Sequence, residues 1–279
     1  MTASARIDIR DARRSLVATA QRNGELIGSL DMKLRVRGSE WTVGETSAHL
    51  IIALRGFTGS VTGDDREWQE VHAQIPTART PERIAAMNRL TIAAEPQRSP
   101  SMTAGAITDG VDAFLAATAA LAPHHVVATP WYGDGDTLTV AKATCLLLGE
   151  QVLHGYDIAR TAGQKWPITR QDAVLVFEAV RDMLPKMADP NTLGQVTATY
   201  EIRLGRTARF VVHVADGAAI VENVAGQRID CHVLAEPVAM LLVGYGRINQ
   251  WRAIGKFKMF TWGRRPWLAF RFTSFFSHP

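Results

Sequence analysis

The chain has 279 residues, 47% hydrophobic and 21% charged, with a net charge of +4. That length can bury a full core and hold two domains, and the ordinary composition excludes disordered, fibrous and repeat architectures. Two cysteines exclude a disulfide scaffold and predict a reducing, cytoplasmic setting.

In chain order, the opening MTASARIDIRDARR mixes charges early and is read as lacking a leader. Residues 9–30 have helical composition, with Leu16, Val17, Ala20, Leu26 and Ile27 toward one side. Thr42 and Glu45 form a capping-box pattern that opens a helix through 48–61. That helix is apolar round most of its circumference and is therefore expected to be buried. A polar, proline-bearing stretch follows, then helices near 81–94 and 102–121. A loop over 123–136 leads to a long segment, 137–160, which Gly163 and Pro167 end, and 168–187 reads as one more amphipathic helix. Residues 1–189 are thus expected to form an all-α bundle of four or five helices. Asp189-Pro190-Asn191 marks the expected boundary. Beyond it, 196–203 and 208–214 alternate with period two, 218–221 is strand-like, and Asp216-Gly217 is a hairpin turn. Residues 233–243 predict a helix, 256–262 a strand and 267–276 a terminal aromatic helix. The segment 190–279 is expected to be a small α+β domain.

The chemistry concentrates on Glu150 and His154, one helical turn apart in GEQVLHGYDIAR. Most isolated pairs of this kind are solvated faces or core hydrogen bonds. Here Thr144-Cys145-Leu146-Leu147-Leu148 precedes them, and burying an ionised carboxylate without a partner costs several kcal/mol. A divalent metal would supply the partner, with His49 as a third ligand from another apolar helix. Three protein ligands and an open position describe a catalytic site, not a structural one. Asp157 could accept from a ligating imidazole, and equally could pair with Arg160. Glu45 is explained by the cap and left out of the ligand set. Neither cysteine has a basic cluster to lower its pKa, and Cys145, in an apolar run, should be inert. His124 and His125 read as surface residues, and His72, His213 and His232 receive no role. No phosphate loop, nucleophile elbow or dinucleotide fingerprint occurs.

The segments WTVGETSAHL and LLLGEQVLHGYDIAR resemble the two signatures of the mycothiol-dependent maleylpyruvate isomerase family, within the DinB-like four-helix bundle superfamily. VLAEPVAMLLVGYGR and GKFKMF are similar to the sterol-carrier-protein-like α+β domain that family members carry at the C terminus. The resemblance implies that His49, Glu150 and His154 bind a divalent ion, zinc in the family. It also implies mycothiol as the thiol that takes the open metal position. The implied chemistry is cis–trans isomerisation of, or S-transfer to, a small electrophile. A small dicarboxylate would need a cationic anchor, and Arg247 is the residue put forward for it.

Two rival functions remain at this level. After Glu236 no acid occurs, while seven cations follow, interleaved with aromatics. Trp251, Phe257, Phe260, Trp262, Trp267, Phe270, Phe272, Phe275 and Phe276 could line an apolar-ligand site, making the protein a carrier. The expectation favours a packed core for them. The second rival is contact of the same tail with an anionic surface, a single strand or a membrane interface. Solvated cations around a packed core are expected instead, because the whole chain is only mildly basic, so nucleic acid is not expected as a partner; nor is membrane insertion, since no apolar run reaches bilayer length. Monomer and homodimer both stay open.

Overall fold

Thr42 shows how the sequence fixes the fold locally. In the computed structural model its side chain accepts from the Glu45 amide, and the Glu45 carboxylate accepts from the Thr42 amide at 2.7 Å. The described residues are 7–64, 66–75, 78–194 and 196–277. Of the opening residues that carry the leaderless reading, the first six lie outside them.

The chain forms two compact units, Asp8–Pro167 and one containing Ile168–Pro279. The first comprises α1 (Ile9–Ile27), α2 (Val43–Thr62), α3 (Arg66–Ala73), α4 (Thr80–Ala94), α5 (Pro100–Ala117), β1 (Val126–Ala128), β2 (Thr137–Thr139) and α6 (Val140–Thr161). Helices α1 and α2 each pack against both α5 and α6, which makes a four-helix bundle. Leu16, Ile27, Leu50, Leu54, Phe114 and Leu147 are fully buried in its core. Sequence periodicity did not predict α3 or the β1–β2 hairpin. The hairpin pairs Val127 with Leu138 and feeds directly into α6. Gly155 permits a close approach: a Cβ there would collide with the Trp166 ring and with Asn23 Oδ1 of α1.

The second unit contains α7 (Arg170–Val180), α8 (Leu184–Met187), α9 (Pro190–Leu193), β3 (Ala198–Leu204), β4 (Ala208–Ala215), β5 (Ala218–Glu222), β6 (Cys231–Ala235), α10 (Pro237–Gly244), α11 (Gln250–Gly255), β7 (Met259–Trp262) and α12 (Ala269–Phe272). The sheet runs β5-β4-β3-β6-β7, with β3 and β6 parallel and the other pairs antiparallel. Asp216 and Gly217, at φ 51 and 74, make the two-residue hairpin turn expected between β4 and β5. Helix α7 belongs to this unit and packs against α10. It is buried nearly all round, from Asp172 through Ala179, so it lacks the single apolar stripe of a bundle helix.

Three sequence expectations need correction. The apolar stretch 233–243 ends β6 with its first three residues and becomes helix only from Pro237, because a buried strand and a buried helix are both continuously apolar. Glu236 caps α10 by accepting from Val238 and Ala239 amides, and Pro237 occupies its first position. The terminal helix breaks into short turns around α12. Of the nine late aromatics, Phe272, Phe275 and Phe276 are buried, but the other six are 38–79% exposed. No described helix is long and apolar enough to cross a membrane.

Candidate metal centre

Helices α2 and α6 bring His49, Glu150 and His154 together. His49 lies on the second turn of α2, and Glu150 and His154 stack one turn apart on α6. Glu150 Oε2 stands 3.0 Å from His49 Nε2 and 3.3 Å from His154 Nε2. One ligand atom from each residue lies within 4.8 Å of the others. A tetrahedral ion bonded at roughly 2.0–2.1 Å separates neighbouring ligand atoms by about 3.3 Å, so these donors fit a divalent cation. Two imidazoles and a carboxylate are also the donor types that zinc takes.

Burial opposes the charge on Glu150. Hydrogen bonds from His154 and His49 outweigh that burial and hold its carboxyl well below the ordinary carboxylate range. The acid is therefore ionised and available as a ligand at neutral pH. His49 Nδ1 is buried with no hydrogen-bond partner among the described residues, so the ring is held by the Glu150 contact at Nε2 and by packing. Trp41 supplies that packing, its ring 5.2 Å from the His49 ring and 6.1 Å from the His154 ring.

Trp41 escaped sequence reasoning. Its only signal was its place immediately before the Thr42 cap. The Val36 amide donates to the Trp41 carbonyl at 2.9 Å, which fixes the approach to α2. Trp41 also lines a cleft of about 700 Å³ together with Thr42, Glu45 and Ala48 and the connection from α4 to α5. The cleft therefore abuts the tryptophan that covers both imidazoles.

The remaining sequence candidates fall as follows. Asp157 is 7% exposed on α6, one turn beyond His154. Glu45 is engaged by the capping box and stands outside the donor cluster. Arg247 lies in the other unit, just after α10, where its guanidinium donates to the Tyr245 carbonyl at 2.8 Å. Cys145 and Cys231 are buried and form no disulfide, and burial pushes the Cys231 thiol up, away from reactivity. His124 and His125 are exposed.

Another acid with a histidine partner went unnoticed in the sequence. Glu201 on β3 is fully buried and accepts from Arg203 Nε at 2.8 Å, from His232 Nδ1 at 2.5 Å and from Arg209. Burial opposes its charge, but His232 and the two arginines outweigh it and lower its carboxyl below the usual value.

Fold and site together define a class: a helix bundle whose facing helices present two histidines and a glutamate that could hold a metal ion, joined to an α+β unit. The profile of the mycothiol maleylpyruvate isomerase N-terminal domain matches residues 14–159. The chain belongs to that family. Two crystal structures share the fold. One is a histidine-to-alanine mutant of the mycothiol-dependent maleylpyruvate isomerase, with 12% identity, TM-score 0.51, and coverage of 87% of this chain and 90% of that one. The other is the mycothiol-dependent maleylpyruvate isomerase itself, with 13% identity, TM-score 0.50, and coverage of 86% and 90%. No curated protein matches the chain.

Proposed function

We propose that this chain is a divalent-metal enzyme that uses mycothiol for cis–trans isomerisation of, or S-transfer to, a small electrophile. The convergence of His49, Glu150 and His154 within a bundle of this family carries the proposal. A bound divalent ion, zinc in this proposal, would supply a thiolate at neutral pH by lowering the thiol pKa.

Each residue has a defined task. His49 and His154 offer Nε2 lone pairs from opposite helices, and Glu150 adds the one negative charge of the set. Trp41 shields both imidazoles on one side, which keeps water from that flank. Asp157 is proposed as the acceptor that fixes the His154 ring, a role its burial on the same helix supports. The cleft beside Trp41 offers space for the body of the thiol. Arg247 is proposed as a substrate anchor on its charge alone, and Arg247→Ala should then raise KM more than it lowers kcat. The metal chemistry is assigned to the bundle, and a sterol-carrier-like role to the C-terminal domain. A cytoplasmic location is part of the same proposal, supported by two buried cysteines that form no disulfide.

Elemental mass spectrometry of the untagged protein, purified without chelator, tests the core of this reading. About one divalent ion per chain, lost in His154→Ala while the fold persists, is the expected result. Wild-type metal content in both His49→Ala and His154→Ala would dismiss it. A chain that neither carries nor takes up zinc would leave Glu150 as a hydrogen-bonded structural acid.

A further inference from the structure

Helix α11 ends in an unusual way. The Lys258 amide donates to the Ala253 carbonyl at 3.0 Å and the Phe257 amide to the Ile254 carbonyl at 2.9 Å. This is a Schellman ending, and its left-handed position is normally glycine. Here Phe257 occupies it at φ 55. An L-residue in that conformation is strained by roughly 1–2 kcal/mol. Packing does not repay the strain, because Phe257 is 79% exposed, the most exposed large apolar residue among those described. A strained backbone that presents a phenyl ring to solvent points to a use outside the fold.

The neighbourhood agrees. Phe257 stacks with Phe260, which is 49% exposed. At the other end of α11, Trp251 packs on Phe270, and these are 56% and 38% exposed. A helix of six residues, about 9 Å long, separates the two pairs. Exposed cations flank them: Arg252, Lys256 and Lys258. Glu236, the acid nearest the corner, is occupied in capping α10 and stands 3.8 Å from Lys258. From there to the C terminus the sequence has no acid at all.

We propose that the corner formed by α11 and the start of β7 docks peripherally on an anionic lipid bilayer. Phe257 and Trp251 would enter the interfacial layer while Arg252 and Lys256 meet the headgroup phosphates. Charge complementarity selects this occupant, since tryptophan and phenylalanine interleaved with cations suit the bilayer interface. Anchorage would be shallow and reversible, and independent of the metal site in the other unit.

Co-sedimentation of the full chain with phosphatidylcholine vesicles, with and without phosphatidylglycerol, tests this. Binding is expected only to the anionic vesicles, and should weaken with salt. Phe257→Gly should reduce partitioning roughly tenfold, by loss of a buried phenyl ring. The same substitution should raise Tm, because glycine accepts the left-handed conformation without strain. A structural role for Phe257 predicts the opposite shift in Tm and would overturn the assignment. Lys256→Gln and Arg252→Gln should each weaken binding roughly fivefold. Absence of binding at low salt, or equal binding to neutral vesicles, overturns the proposal. So does concentration-dependent self-association of the wild type that Phe257→Gly abolishes, since the surface would then serve a second copy.

Discussion

Glu150 and Glu201 are both acids with histidine partners, and the two carboxylates are lowered below their ordinary pKa against opposing burial. Their other partners separate them. Glu201 is fully buried and shared by two guanidiniums, which stay protonated at any accessible pH. Glu150 keeps a side chain 34% exposed and meets only imidazoles, which can give up their protons and offer lone pairs to an ion. An acid held by arginines is committed to the fold, whereas an acid held by histidines is convertible into a ligand. A lowered pKa against opposing desolvation is common to both, so it identifies no site by itself.

Removing each acid should separate them most sharply. Glu201→Ala is expected to cost about 3 kcal/mol in urea unfolding. That is the low end for a broken buried pair, because Arg203 and Arg209 are 36% and 39% exposed and can rehydrate. Its metal content should not change. Glu150→Ala should change metal-free stability by less than about 1 kcal/mol, since it leaves two imidazoles that can be neutral, yet it should abolish metal uptake. Equal stability losses in both variants would erase the distinction.

A smaller effect on the metal side comes from Asp157→Asn. If Asp157 orients the His154 imidazole, metal affinity should fall roughly 10–100-fold with little change in stability, as read by zinc titration against a competing chelator. Unchanged affinity would return Asp157 to a purely structural role.

Acid sharpens the other side of the comparison. The folded pKa of Glu201 lies below its ordinary 4.5, so the folded state binds its proton less readily than the unfolded state. The resulting stability is fully present above about pH 4.5 and is lost as pH falls toward the folded pKa. Unfolding curves from neutral to acidic pH should show this loss in the wild type and a flatter slope in Glu201→Gln. The gentlest change is Thr42→Ala. It should cost about 1 kcal/mol by breaking the capping box while leaving the three donor atoms in place.

Much of the candidate metal centre was legible in the sequence. The spacing of Glu150 and His154 sets them on one helical face, and the apolar run before them signals a largely buried helix, although the two side chains stay 34% and 17% exposed. The capping box located the start of α2 and so the turn that bears His49. Glu201 was not legible, because its partners come from β4 and β6 as well as β3, and cross-strand pairing is not a local property. Trp41 was invisible for the same reason: its contact with both imidazoles depends on how the chain turns before α2.

Local patterning also misled where it was ambiguous. The run 233–243 is apolar apart from Glu236, and only the capping carboxylate of that residue and the ring of Pro237 divide strand from helix there. The late aromatics looked like a core because aromatic residues usually are one. In the folded unit Phe272 and Phe275 pack around Tyr200 while Trp251 and Phe257 face solvent.

The sequence by itself determined the start of α2, the hairpin turn at Asp216-Gly217 and the three candidate donor residues, since caps, turns and i,i+4 spacing act over a few neighbouring residues. The tertiary structure alone decided that α7 packs with α10 and that Glu201 is locked by arginines. It also decided that Trp41 covers the imidazoles and that six aromatics remain outside. Those outcomes depend on which distant surfaces meet, and burial is a property of the assembled chain rather than of any segment.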